Sequence, residues 1–146
     1  MNTTDITTAI TIDSANQRLT EVFAPWIQEL NLSVEAIETD TVTLRMPYSD
    51  SLCRSGSIVC GQALMALIDT CMVYVCYNAL GKYADCATVS QNTSFLRPVK
   101  GNDVIAIGKT VKAGRSLVFG EVTLYSDSDN RPVCLGVLTY AVLPSK

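Results

Sequence analysis

Between Ser55 and Gly81 the sequence runs SGSIVCGQALMALIDTCMVYVCYNALG, and Asp69 is its one charged residue. A stretch this long and apolar raises the question of a membrane span. Its polar groups argue against one. An Asp at a bilayer centre costs about 2.5–3.5 kcal/mol on insertion scales, and Gln62, Tyr77 and Asn78 add to that. The flanks also lack a strong basic bias. The stretch therefore reads as one nearly fully buried helix, from about Gly61 to Leu80, with Gly81 as its C-terminal stop. A helix that is apolar all round must be covered on several sides, and a curved sheet wrapped around it does this.

The flanking sequence supplies the strands. ATVSQNTSFL, DVIAIGKTVKA, SLVFGEVTLYS and VCLGVLTYAVL are β-rich and separated by turn signals at 97–102, 113–115 and 127–131. Upstream, Ser14-x-x-Gln17 resembles a capping box opening the helical stretch SANQRLTEVFA. Pro25 then breaks that helix or starts a second short one, PWIQEL. LSVEAIE and TVTLRMP follow as strands around a turn at Glu38–Asp40. The chain has 146 residues, 48% of them hydrophobic, which is enough for a single core. The expectation is a loose polar arm over 1–13 and one α+β domain over 14–146, an antiparallel sheet around one long helix.

The composition excludes several chemistries. There is no histidine, so Ser-His-Asp and Cys-His catalysis and His-ligated zinc are ruled out, and no metal site is implied. Acid–base work falls to carboxylates, Cys, Lys or Tyr. Six cysteines include no C-x-x-C pair, and Cys71 and Cys76 sit in the apolar run as small hydrophobes. They read as reduced thiols, and MNTTDITTAITID has no basic n-region, so a cytoplasmic protein is expected. A formal charge of −3 argues against a general nucleic-acid binder. Only 17% of residues are charged, which suggests a surface partly covered by another chain.

Within that frame Asp69 is the sharpest chemical signal. A carboxylate in an otherwise uncharged helix is expensive when buried, unless it is bonded or used as a base or nucleophile in a partly dry pocket. The helix start is the second signal. Gly61 and Gln62 open the helix, where unpaired N–H groups and the positive dipole end suit a polarised carbonyl oxygen. Gly61 and Asp69 are eight residues apart, roughly 12 Å along a helix axis, too far for one small reacting group to touch both. An antiparallel second copy brings one chain's Asp69 to the other's Gly61, so a site shared across a two-fold interface is expected. Six bases, Lys82, Arg97, Lys100, Lys109, Lys112 and Arg115, lie close together in sequence and read either as solvated strand edges or as a local basic rim for an anionic ligand.

Gly56-x-x-x-x-Gly61 entering an apolar helix with Asp69, followed by TVSQNTSFLRPVKGND and AGRS, resembles the hotdog-fold acyl-CoA thioesterases over roughly residues 25–142, with the phenylacetate-pathway type as the nearest subgroup. The resemblance implies a sheet wrapped around a central helix, a homodimer that often pairs into a homotetramer, and hydrolysis of an acyl-CoA to CoA and a carboxylic acid with no cofactor beyond the CoA of the substrate. It implies that the Gly61 N–H polarises the thioester carbonyl, that Asp69 of the neighbouring chain attacks or activates water, and that Thr88 holds the water or carboxylate. Strand alternation puts Thr88, Ser90 and Asn92 on one face. Arg97, Lys100, Lys112 and Arg115 are candidates for the CoA phosphates. The sequence departs from the family pattern where His-Gly-Gly is replaced by Cys60-Gly61-Gln62 and the upstream Asn position holds Arg54. Gln62 is a candidate to orient the thioester, and Cys60 has no base to activate it. Two alternatives remain. One is a non-catalytic acyl-CoA or lipid-binding module, favoured by the altered helix start. The other is a dehydratase-like enzyme on acyl thioesters, disfavoured by the missing His.

Overall fold

The computed structural model describes residues 9–144. Helix α1 (Ile12–Leu19) opens on a reciprocal box between Thr11 and Ser14. The Ser14 N–H donates to Thr11 Oγ1 at 3.0 Å and the Thr11 N–H to Ser14 Oγ at 2.9 Å. The box thus sits three residues earlier than the Ser14–Gln17 reading, because a Ser at the third helical position serves as acceptor in place of a Glu or Gln. Residues 12–13, expected in the arm, belong to this helix, and residues 1–8 of that arm lie outside the described residues. The helix is also shorter than SANQRLTEVFA. It ends at Leu19, where the Thr20 hydroxyl donates back to Gln17 O at 2.7 Å. Ala24 is extended (ψ 146°), as a residue before proline must be, and α2 (Pro25–Gln28) starts on Pro25.

Strands β1 (Ser33–Ile37) and β2 (Thr41–Met46) pair antiparallel across the expected turn. A small hairpin that the sequence reading lacked follows: β3 (Cys53–Arg54) and β4 (Ile58–Val59), turned by Gly56 and Ser57 at positive φ. Helix α3 (Gly61–Leu80) has the bounds the sequence implied and stops on Gly81 at φ 71°. The last four strands are β5 (Cys86–Phe95), β6 (Val104–Ala113), β7 (Leu117–Ser126) and β8 (Pro132–Val142).

The main sheet has the order β1-β2-β6-β7-β8-β5, with antiparallel neighbours throughout. It curls around α3, which packs on β2, β5, β6, β7 and β8. By length and hydropathy α3 would pass for a membrane span, but 67% of its apolar window is buried inside this fold. It is the core helix. Leu67, Ile68, Cys71, Met72 and Val75 of α3 meet Val42, Val118, Val122 and Leu138 of the sheet, all nearly or fully buried.

Three strand glycines set how closely helix and sheet approach. A Cβ on Gly136 would lie 2.7 Å from Ile68 Cγ2, one on Gly120 2.6 Å from Met72 Sδ, and one on Gly108 2.5 Å from Val75 Cγ2. The helix seats its side chains directly on bare backbone at these points. Its C-terminal half is further pinned by Tyr74, whose hydroxyl donates to Ala15 O of α1 at 2.7 Å.

The sequence motifs behind the resemblance work mainly as structural ties. Asp103 accepts from the Tyr48 N–H at 2.7 Å and from Arg45 at 2.9 Å, which holds its carboxyl below the usual range, the backbone bond first. Arg45 also binds Glu35 and Asp127, joining β1 and β2 to the β7–β8 turn. Gly114 N–H donates to Leu117 O at 2.8 Å in the tight β6–β7 turn of AGRS.

Candidate functional site

Asp69 lies in the third turn of α3, half-buried on the side of the helix that faces β5 and β8. Its Oδ1 accepts two hydroxyl hydrogen bonds, from Thr88 at 2.9 Å and from Tyr140 at 2.6 Å. The Tyr140 hydroxyl also lies 2.8 Å from the Asp69 backbone oxygen. Oδ2 accepts no hydrogen bond among the described residues, so one carboxylate oxygen is anchored and the other is left for chemistry. Burial first, and then the bond to Asp69, push the Tyr140 phenol well above its ordinary range, so it stays a hydrogen-bond donor at neutral pH.

Sequence reasoning missed Tyr140. The signal was present, because alternation along VCLGVLTYAV turns Tyr140 inward, and a buried phenol needs a partner for its hydroxyl. Thr88 is its cross-strand neighbour, so one rung of the β5–β8 ladder delivers both donors. Directly after Thr88 the register shifts by one residue, a β-bulge at Val89. The bulge reverses the side-chain alternation. Gln91 and Thr93 turn toward the helix, the Gln91 amide donating to Met65 O at 3.3 Å, while Ser90 and Asn92 point out with Thr139 and Val137. The expected face of Thr88, Ser90 and Asn92 is therefore split, and Ser90 stands away from Asp69.

Asp69 forms part of the wall of an open pocket of about 520 Å³. Its other walls include Phe23, Trp26, Ile27, Met65 and Val73, with Gln62 at the helix start and Gln91 on the strand. Trp26 is the second feature that sequence reasoning missed: α2 carries it over the pocket, 59% exposed.

Gly61 opens into a different pocket, of about 380 Å³, lined by Arg54, Phe95, Arg97 and neighbouring apolar residues. Cys60 is the N-cap, half-buried, with no side-chain bond to the helix, so the first N–H groups of α3 carry no side-chain cap. Both guanidinium groups here are exposed. Arg54 donates to Ser55 O at 3.0 Å and Arg97 to Pro132 O at 2.7 Å. Lys100 is exposed nearby, where its backbone bridges to Ile58. Lys112 and Arg115 lie at the far end of β6, beside the C-terminal end of α3. The sequence cluster of bases is thus not one rim within a protomer, because β6 runs the length of the molecule, ten residues or roughly 33 Å, between Lys100 and Arg115. Among the described residues no group of three or more His, Cys, Asp or Glu is placed to hold a metal.

The description of the thioesterase superfamily matches residues 56–133, which take in the helix with Asp69 and strands β4 to β7, Thr88 of β5 among them. The chain belongs to the thioesterase superfamily. An esterase candidate of Halobacterium salinarum is 33% identical over 105 residues, 68% of this chain and 69% of that one. Another, of Thermoplasma acidophilum, is 28% identical over 111 residues, 71% of this chain and 80% of that one. A solved thioesterase candidate from a Silicibacter species is 29% identical with TM-score 0.82, covering 92% of this chain and 93% of that one. A Haemophilus influenzae thioesterase shares the fold, with TM-score 0.83 at 20% identity over 94% of this chain and 93% of its own. The six-stranded antiparallel sheet around α3 is the hotdog fold of this superfamily.

Proposed function

We propose that the protein hydrolyses an acyl-CoA to CoA and a carboxylic acid, with each active site shared between two copies of the chain. The observation that carries this reading is the asymmetric anchoring of Asp69, one oxygen held by Thr88 and Tyr140 and the other free toward an apolar pocket. Two donors on one oxygen fix the orientation of the carboxylate, and the other oxygen is the one a water or thioester can meet. In the reaction the thioester oxygen rests on the Gly61 N–H at the start of α3, where developing negative charge meets an uncapped helix N-terminus. Oδ2 of the partner's Asp69 either takes a proton from water, which adds to the carbonyl carbon, or adds there itself to form an anhydride that water then opens. In both routes the C–S bond breaks and the CoA sulfur leaves as thiolate and is protonated by solvent.

Three features support the shared site and the substrate class. Gly61 and Asp69 open into separate pockets, about 12 Å apart along the helix. Strand β5 is a sheet edge paired only to β8, a ten-residue ladder available to a second copy. In an antiparallel pair the Lys112 and Arg115 end of one chain approaches the Arg54 and Arg97 end of the other, which gathers four cations for the phosphates of CoA. The apolar pocket wall of Phe23, Trp26, Ile27, Met65 and Val73 suits an uncharged acyl group. All six cysteines are free, which supports a reducing, cytoplasmic location.

A second reading, a non-catalytic acyl-CoA binder, is favoured by Cys60 and Arg54 at the helix entrance. One experiment separates the two: CoA thiol release over aliphatic and aromatic acyl-CoAs by the wild type and Asp69→Asn. Release that falls by orders of magnitude in the variant, with ligand binding retained, is expected. Binding without release by the wild type would overturn the hydrolase reading.

A further inference from the structure

The sheet leaves one face of α3 open. From Gln62 to Tyr77 every residue of the helix is buried except Gln62, Met65, Asp69 and Val73. These four are three or four residues apart, so they form one stripe down the helix, eleven residues or roughly 16 Å long. All four line the pocket that holds Asp69, and the buried Ala66 and Thr70 give it a floor of small side chains. Strand β5 follows the stripe in register: Thr88 bonds Asp69 at 2.9 Å and Gln91 bonds Met65 O at 3.3 Å. Phe23, Trp26 and Ile27, in and just before α2, supply the remaining wall. The site is therefore a groove along the helix rather than a round hole.

Trp26 is the odd member of that wall. Its neighbours are anchored: the Phe23 ring stacks on Tyr74 with centroids 5.9 Å apart, Phe23 and Ile27 pack against the core, and the Gln28 amide donates to Phe23 O at 2.7 Å. Trp26, the one tryptophan of the chain, stands between them largely in solvent. A large aromatic side chain on a fixed backbone, exposed beside a groove, gains by covering an apolar ligand.

We propose that the acyl group of the substrate is an unbranched chain of about eight carbons that lies along α3, with Trp26 closing over it. This rests on the reading of Asp69 as the reacting carboxylate, which fixes the thioester carbonyl at that point of the stripe. Asp69 divides the groove into an arm of seven residues toward Gln62 and one of four toward Val73, roughly 10 and 6 Å. An extended chain advances about 1.25 Å per C–C bond, so the longer arm takes about eight bonds. An acetyl group fills neither arm, and a benzoyl ring spans only part of the longer one. At its far end that arm meets the exposed Gln62 amide and solvent, where further carbons gain little.

The single tryptophan makes the test direct. The wild type is titrated with S-octyl-CoA, a thioether with no ester to hydrolyse, and with S-methyl-CoA, while tryptophan emission is read. S-octyl-CoA is expected to shift the emission to the blue and to gain about fourfold in affinity for each methylene the groove covers, and S-methyl-CoA to leave the emission in place. Thiol release is then measured with octanoyl-, acetyl- and benzoyl-CoA. Trp26→Ala is expected to raise KM for octanoyl-CoA roughly tenfold, with kcat within about twofold and KM for acetyl-CoA unchanged, a split that a general loosening of the fold would not produce. Thiol release from octanoyl-CoA with the emission unmoved, or benzoyl-CoA held as tightly as octanoyl-CoA, would overturn the proposal. So would an emission already blue and insensitive to S-octyl-CoA, which would mean that a second copy covers Trp26. A blue shift with no thiol release from any ester would leave the groove assignment standing and sink only the hydrolase reading.

Discussion

Tyr140→Phe isolates the anchoring of Asp69 from everything else at the site. The substitution keeps the ring in the core and removes one hydroxyl, the donor 2.6 Å from Oδ1 and 2.8 Å from the Asp69 backbone oxygen. A hydrogen bond to a charged group is worth about 1.5–3 kcal/mol. If that bond fixes the orientation of Oδ2 in the transition state, its loss raises the barrier by up to the same amount, or roughly 10- to 150-fold in kcat. Tyr140 is not among the pocket residues, so KM for the acyl-CoA is expected to stay within about twofold. Steady-state thiol release read as separate kcat and KM values is the assay, with a thermal melt to show that the variant is folded. Thr88→Val removes the other donor, 2.9 Å away, and the double variant is expected to lose less than the product of the two, because both act on one oxygen. A folded Tyr140→Phe with kcat unchanged, or with its whole loss in KM, would refute the anchoring argument.

Two further expectations concern the fold around the site. Gly136→Ala places a Cβ 2.7 Å from Ile68 Cγ2, beside Asp69, and Gly120→Ala one 2.6 Å from Met72 Sδ; overpacking of this kind costs about 1–3 kcal/mol, measurable as a lower urea midpoint, and unchanged midpoints would show that the helix rides further off the sheet. The buried phenols Tyr74, Tyr77 and Tyr140 are all pushed up, burial being the first cause in each. The folded state therefore keeps protons that the unfolded chain gives up above about pH 10, and stability falls with rising pH by about 1.4 kcal/mol per unit for each such group. Urea midpoints at pH 9 and 11 measure the fall, and Tyr140→Phe is expected to flatten it by one group.

What the sequence revealed depended on how local each signal was. The bounds of α3 were legible because Gly61 opens it within an uncharged run and Gly81 stops it, both signals contained in a few consecutive residues. The strands were legible as runs, but β2–β6 and β5–β8 pairing joins distant segments and leaves no local trace. The bulge at Val89 was invisible for a related reason. It requires no special residue, yet it moves Ser90 and Asn92 to the far face and brings Gln91 inward. Tyr140 and the three glycines under α3 were within reach. An inward Tyr demands a partner, and a glycine inside a strand marks a close approach. Where the bases sit was not legible, because neighbours in sequence are separated by the length of β6.

The separation of Gly61 from Asp69 makes the shared site testable without a structure of the pair. Gly61→Pro removes the N–H assigned to the thioester oxygen and little else. It falls at the first position of α3, where proline is well tolerated. Cys60 already has φ −69° and ψ 152°, the conformation a residue before proline prefers. A Cβ at Gly61 meets only the Phe95 ring at 3.4 Å, a tight but negotiable contact. Asp69→Asn keeps that N–H and disables the carboxylate. If each site takes Gly61 from one chain and Asp69 from the other, a dimer of one Gly61→Pro chain and one Asp69→Asn chain has one intact site and one doubly disabled site. Random pairing of equal amounts makes half the dimers mixed, so an inactive pair of variants, refolded together, recovers about a quarter of the wild-type rate. If both groups acted within one protomer, no pairing would restore an intact site and the mixture would stay inactive. Recovery near a quarter therefore requires the carboxylate and the helix N-terminus to meet across the interface.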